Sequence, residues 1–258
     1  MTDTLTPQPA RPVDLRARLQ AGKPCIGAWQ TIGSAKAAAA MASCGFHWLA
    51  VDLEHGTLTL DQAEACFIAA ERHGTAALAR LPSADPYVAR RMLDAGAVGL
   101  LIPVVEDAVD FADFVDHCLY SGKRGAGLSR CNAYGDEFES YYRDFRPLLI
   151  PQIETLKGVE AAASLAAMAD VDGLFLGPYD LSADLGTPGD LTTDAFKGAV
   201  AKVRQACDAN GKAIGIHQVK PDAAELKARV AEGFLMIAYA TDIIALRSAL
   251  GNPLDGIE

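Results

Sequence analysis

The chain has 258 residues, 50% of them hydrophobic and 22% charged, with a formal net charge of -10. That length suits one α/β domain with a sizeable core, and the composition is globular and excludes a disordered chain. The acidic balance argues against nucleic acid or an anionic membrane surface as a partner, because the densest basic cluster is only Lys123-Arg124 with Arg130 nearby.

Eight short runs rich in Val, Ile and Leu are predicted as strands. In chain order they are Cys25–Gln30, Trp48–Glu54, Ala76–Leu81, Val98–Val104, Leu148–Glu154, Gly173–Gly177, Ala213–His217 and Phe234–Ala238. Most lack polar alternation, as parallel strands covered on both faces do. Residues 1–15, polar and proline-containing, are expected to form a flexible extension ahead of them. Ser34 is placed to cap a helix running to about Ser43, with Ala38 and Met41 on its apolar side. Asp61 is predicted to begin the next helix, with Ala65, Ile68 and Ala69 facing inward. Asp85-Pro86 reads as the N-cap and first residue of a third helix, which ends near Asp94-Ala95-Gly96.

Gly45, Gly96, Gly211 and Gly233 each fall shortly before a strand, as if one helix-to-strand corner were used repeatedly. Residues 122–146 break this rhythm with Gly125, Gly127, Asn132 and Gly135, followed by Phe138-Glu139-Ser140-Tyr141-Tyr142. A loop of that length suggests a lid or a subunit contact, expected near the barrel mouth. An amphipathic helix from about Asp242 to Leu250 follows the eighth strand. Eight strand–helix units favour a single (β/α)8 TIM barrel of the α/β class over residues 1–258, rather than a doubly wound sheet.

The six cysteines contain no CxxC pair, so a thiolate zinc site is not expected. No apolar leader follows Met1 and no apolar stretch is long enough for a bilayer, so a cytoplasmic protein without a membrane partner is expected.

In a barrel, polar groups at the ends of strands converge on one mouth. Glu154 ends the fifth run, with Gln152 two residues earlier on the same side. Asp180 follows Gly177-Pro178-Tyr179, just past the sixth run. Two carboxylates suit a hard divalent ion whose shell is completed by substrate oxygens. The competing reading pairs Glu154 with a lysine or a helix end and makes Asp180 an N-cap. His55, in Val51-Asp52-Leu53-Glu54-His55-Gly56, suits a general base, with Asp52 or Asp85 orienting its ring. It also fits a histidine satisfied by a backbone carbonyl. Arg80 lies in an apolar strand and needs a partner, either a substrate carboxylate or enolate oxygen or a structural carboxylate of the barrel. The turn Gly177-Pro178-Tyr179-Asp180 can present backbone N–H groups to an anion. His217 ends the seventh run, at the mouth. No Walker or Rossmann glycine pattern is present.

These stretches resemble a known family. Gly45 to His55, Ala79-Arg80-Leu81-Pro82, Lys123-Arg124-Gly125, Gln152-Ile153-Glu154-Thr155 and Asp172 to Ser182 are similar, in order and spacing, to the HpcH/HpaI class II pyruvate aldolases. The resemblance runs from about Leu15 to Leu250. It implies a metal-dependent (β/α)8 barrel, a homo-hexamer with an exchanged C-terminal helix, and retro-aldol cleavage of a 4-hydroxy-2-oxo acid to pyruvate and an aldehyde. It implies Glu154 and Asp180 as ligands of Mg²⁺, Mn²⁺ or Co²⁺, and Gln152 as a pyruvate contact. By the same resemblance Arg80 stabilises the enolate and His55 is the base, supported by Asp52 and Asp85. The backbone of Gly177, Pro178, Tyr179 and Asp180 then lies against the substrate, with Tyr179 and Asp180 holding its carboxylate.

Two departures stand out. Tyr179 replaces an alanine of the familiar aldolase, and Leu53 replaces a glycine. They bear on the second substrate more than on the chemistry. A sugar-acid aldolase of the 2-dehydro-3-deoxyglucarate type, a lyase of CoA thioesters and a non-catalytic binding barrel are the alternatives.

Overall fold

The computed structural model describes residues 12–257. Of the expected N-terminal extension, residues 1–11 lie outside the described residues. Residues 12–15 open a helix, α1 (Pro12–Gln20), in place of a loose extension, and Leu15 and Leu19 pack against the start of the barrel. Arg16 fixes this helix through its Nε, 2.5 Å from Asp172, and through the carbonyl of Pro147.

Eight strands close a parallel barrel in chain order: β1 (Cys25–Gln30), β2 (Trp48–Asp52), β3 (Ala76–Arg80), β4 (Gly99–Ile102), β5 (Leu148–Ile153), β6 (Gly173–Leu176), β7 (Ala213–Gln218) and β8 (Met236–Thr241). The connecting helices are α2 (Ala35–Ala42), α3 (Leu60–Glu71), α4 (Pro86–Asp94), α5 (Ala108–Cys118), α6 (Phe138–Asp144), α7 (Leu156–Ala166), α8 (Pro178–Asp184), α9 (Asp194–Asn210), α10 (Ala223–Ala231) and α11 (Asp242–Leu250). Glu54, Leu81, Glu154 and Gly177, read from the sequence as strand residues, stand just past the ends of β2, β3, β5 and β6. Leu81 and Gly177 still donate to the neighbouring strands, and Leu81 is buried beneath the helices, whereas Glu54 and Glu154 stand beyond the ladder beside Arg80 and Val104.

Alternation along the strands builds two cores. One set of side chains fills the barrel, with Trp29, Trp48, Leu78, Ile150, Phe175 and Met236 among them. The other, including Leu49, Val51, Leu149, Leu174 and Ile216, packs beneath the helices. Gly27 and Gly215 give the interior its room, since a Cβ on either would fall within the rings of Trp48 and Phe175. The inward period continues to the mouth: Asp52 follows Ala50, Arg80 follows Leu78, Gln152 follows Ile150, and His217 follows Gly215. With Trp29 these form the uppermost layer of the barrel.

Several helix starts follow side-chain caps, although Ser34, at the N-cap of α2 as expected, makes no side-chain cap hydrogen bond. Thr59, not Asp61, caps α3 through a reciprocal pair with Gln62, and Asp85 caps α4 by accepting from Tyr87 N–H at 2.7 Å. The buried face of α3 is Ala63, Cys66, Phe67 and Ala70, and Ile68 is exposed. The expected face of Ala65, Ile68 and Ala69 is therefore rotated, because alanines around the helix blur its apolar stripe.

The segment 122–146 is also placed differently from expectation. It is not a loop at the mouth. It holds a 3-10 helix over Arg130–Gly135 and all of α6, and it runs between the end of α5 and the start of β5. Arg124 reaches Asp94 at 2.8 Å and Arg130 donates to the carbonyl of Ala95, so the segment clamps the ends of α3 and α4 on the side where strands begin. Its connections fix it there, since helix-to-strand turns all lie opposite the mouth. Arg124 is buried and stacks over Tyr120 at 4.3 Å. Among the described residues, no helix is long and apolar enough to cross a membrane.

Candidate active site

The site begins with an ion pair. Arg80 at the end of β3 donates through Nε to Asp52 Oδ1 at 2.8 Å, and its Nη2 meets Asp52 Oδ2. Strand register places the two side by side, since Asp52 pairs with Arg80 across β2 and β3. Arg80 Nη1 lies 3.3 Å from Glu54 Oε2, and the guanidinium sits 4.6 Å over the Trp29 ring. Burial works against the Arg80 charge, but the hydrogen bonds and charge of Asp52, with Glu54 and Glu154 beyond, outweigh it and raise its pKa. The guanidinium is thereby held planar and aimed, as a bidentate pair over an aromatic face requires.

Asp52 also organises the turn that carries His55. Its Oδ1 accepts from the backbone N–H groups of Glu54 at 3.1 Å and His55 at 3.2 Å. The His55 ring is 65% exposed, and its Nε2 lies 3.8 Å from Glu54 Oε2. The carboxylate beside the ring is therefore Glu54. Asp52 acts on the backbone beneath it, and the Asp85 carboxylate is engaged as the cap of α4.

Across the mouth, Glu154 stands just past β5. Its Oε2 accepts from Val104 N–H at 2.8 Å and its Oε1 from Gln152 Nε2 at 2.9 Å. Val104 adopts a left-handed backbone with φ of 51°, uncommon for a β-branched residue, and so turns its amide towards the carboxylate. Gly177 is required opposite, because a Cβ there would fall inside the Glu154 carboxylate. Three residues on, Asp180 occupies the first turn of α8.

Burial pushes the Glu154 carboxyl up to about 7, against the Val104 amide; Glu54 and Asp180 push the same way as burial, and Arg80 opposes them. Glu54 is also raised, first by burial, with Asp52 and Asp180 adding to it against Arg80. Glu54 and Glu154 thus each feel the charge of neighbouring carboxylates, Asp180 among them, with Arg80 as the opposing cation.

The donors present fit a hard divalent cation. They are carboxylate oxygens, and Gln152 Oε1 is a buried amide oxygen with no hydrogen-bond partner beside them. Among the described residues no group of three or more His, Cys, Asp or Glu side chains forms a ligand cluster by itself. Two carboxylates with the Gln152 amide oxygen would leave the remaining positions of such an ion to water or substrate oxygens.

The Glu154 pKa in the folded protein lies above the ordinary 4.5, so folded protein holds the proton more tightly than the unfolded chain. The resulting penalty is absent below the ordinary value, grows with rising pH and is fully present above about 7, on the order of 3 kcal/mol. In metal-free protein, Glu154→Gln is expected to melt higher than wild type at about pH 8 and near wild type at about pH 4. Coincident melting at the higher pH would contradict the buried charge.

The structure thus brings together Asp52, His55, Arg80, Gln152, Gly177, Glu154 and Asp180, and it leaves Asp85 on its helix. Sequence reasoning missed Glu54 and Trp29. The signal for Glu54 was its spacing, two residues beyond Asp52 and so on the same side.

Known proteins resemble this chain along almost its whole length. The sequence profile of the HpcH/HpaI aldolase/citrate lyase family matches residues 26–249. The hydroxypyruvate/pyruvate aldolase of Paraburkholderia phytofirmans is 36% identical, over 94% of this chain and 96% of that protein. The 4-hydroxy-2-oxovalerate aldolase of Rhodococcus jostii is 32% identical, over 90% of this chain and 91% of that protein. A crystal structure of an HpcH/HpaI aldolase/citrate lyase family protein from Burkholderia cenocepacia matches with a TM-score of 0.87 at 31% identity, covering 94% of this chain and 98% of that one. Barrel, mouth and relatives together define a carbon–carbon lyase of the aldolase kind. The chain belongs to the HpcH/HpaI aldolase/citrate lyase family.

Proposed function

We propose that the chain is a divalent-metal-dependent class II aldolase that reversibly cleaves a 4-hydroxy-2-oxo acid to pyruvate and an aldehyde. The observation that carries this reading is the opposition of Arg80 to the Glu154 carboxylate, with the unpartnered amide oxygen of Gln152 beside it. Glu154 and Asp180 would hold the ion, which is Mg²⁺, Mn²⁺ or Co²⁺, since hard oxygen ligands serve each. When bound, the ion supplies Lewis-acid polarisation of the 2-oxo acid.

The side chains do the rest. The backbone N–H groups of Tyr179 and Asp180, in the first turn of α8 where the helix itself does not use them, hold the substrate carboxylate. His55 takes the 4-hydroxyl proton, directly or through a water, with Glu54 beside its ring. The C3–C4 bond breaks, its electron pair passes to the enolate of pyruvate, and an aldehyde leaves. Arg80 faces the developing enolate oxygen and is already fixed by Asp52, so little reorganisation accompanies the charge.

We further propose a hexamer with the terminal helix exchanged. Support comes from α11, where Ile243, Leu246 and Leu250 are exposed. A monomeric sedimentation coefficient would contradict it.

The testing experiment is a screen of 4-hydroxy-2-oxo acids with each divalent ion, identifying the aldehyde released. Cleavage is expected with metal and is expected to fall about a hundredfold or more in His55→Ala. Turnover of no 4-hydroxy-2-oxo acid with any ion would overturn the reading.

A further inference from the structure

Among the described residues, the uppermost layer of the barrel has more polar capacity than the proposed chemistry uses. Arg80 is held by Asp52 and Glu54 and serves the enolate in the proposed chemistry, and the Gln152 amide group donates to Glu154. Left over are Trp29 Nε1, buried and without a hydrogen-bond partner, and the imidazole of His217, inward-facing near the end of β7 and edge-on to Trp29 at 5.8 Å between ring centroids. Its Nε2 is buried and has no hydrogen-bond partner. Burial and then the positive charge of Arg80 push its pKa down to about 3, against Asp52. The ring is therefore neutral at working pH and is neither a counter-ion nor a proton store. A buried imidazole nitrogen without a partner is unfavourable in the free enzyme, and a ligand that supplies the missing partner gains from it.

We infer that His217 is a specificity-determining residue that hydrogen-bonds a hydroxyl group of the substrate, so that hydroxylated substrates are preferred over their unhydroxylated analogues. The inference rests on the aldolase reading and deepens it. The hydroxyl has two possible sources, C3 of the keto acid and the carbon next to the aldehyde carbonyl, and both offer the same chemistry to Nε2. A hydroxyl of either kind has a donor and an acceptor for a neutral imidazole, whereas a methyl group leaves Nε2 unpaired. The Trp29 ring, with Phe175 edge-on to it, adds no competing charge, although Trp29 Nε1 is a second donor in this layer.

The test is aldol synthesis with a divalent ion present, read as ratios of kcat/KM. One arm compares hydroxypyruvate with pyruvate against a single aldehyde. The other compares glycolaldehyde with acetaldehyde against pyruvate. Wild type is expected to favour the hydroxylated partner in at least one arm, and the arm that responds shows which half of the substrate His217 contacts. His217→Leu is expected to reduce that ratio about tenfold or more, and His217→Gln, which keeps a hydrogen-bonding end, to retain most of it. If His217→Leu does not fold, His217→Phe, which keeps a ring and lacks the nitrogen, takes its place. Absence of any preference in wild type, ratios within about twofold of wild type in the apolar variant, or equal loss in the Leu and Gln variants would each overturn the inference. Failure of wild type to turn over any pair would instead overturn the aldolase reading, and this inference with it.

Discussion

Glu154→Ala is expected to lower retro-aldol kcat/KM by about a thousandfold or more and to abolish Mn²⁺ binding. The side chain is poised by three neighbours at once. Val104 N–H fixes one oxygen, Gln152 the other, and the absence of a side chain on Gly177 leaves the space it fills. Removing the carboxylate deprives the ion of a ligand and leaves Gln152 Nε2 and Val104 N–H without their acceptor. The fold should survive, because the variant also deletes a buried acid that burial disfavours when ionised. Isothermal titration with Mn²⁺ and a melting curve separate the two effects. Wild-type affinity for Mn²⁺ in the variant would remove Glu154 from the ligand set.

Arg80→Ala is expected to cost both activity and stability. Loss of the guanidinium removes the donor proposed to face the developing enolate, worth about a hundredfold to a thousandfold in kcat/KM. It also leaves Asp52, fully buried, with a charge and only the two backbone N–H groups of Glu54 and His55. Breaking a buried pair in this way typically costs about 3–5 kcal/mol, which for a domain of this size is on the order of a 10 °C fall in Tm. Arg80→Lys should recover part of the stability and little of the activity, because an ammonium cannot bridge both Asp52 oxygens and reach Glu54 together. A variant lacking Arg80 that melts with wild type would show that Asp52 and Arg80 are not a mutually dependent pair.

Much of this was legible in the chain, for a physical reason. Parallel strands buried on both faces write continuous apolar runs, and the polar residue that ends each run stands out against them. Asp52, Arg80 and Glu154 were visible in that way. What stayed hidden depended on closure of the barrel. Trp29 lies under Arg80 only because β1 and β3, on either side of β2, both turn side chains into the closed interior, and nothing local to Trp29 signals a guanidinium above it. Glu54 was masked by lying between two more conspicuous residues, Asp52 and His55. The position of 122–146 was misjudged because glycine content and length report a loop without reporting which end of the barrel it serves. Asp85 has two readings in the sequence, the cap of a helix and, by the family resemblance, a support of His55, and the structure shows it accepting from Tyr87 N–H as the cap of α4.

The central claim is that two acidic side chains hold a divalent ion against a 2-oxo acid. Its most direct measurement is exchange of pyruvate methyl protons with solvent deuterium, followed by NMR, in wild-type protein with added Mn²⁺ and with a chelator. Exchange is expected only with the ion and is expected to vanish in Glu154→Ala. Equal exchange in the presence of the chelator, or undiminished exchange in that variant, would contradict the account.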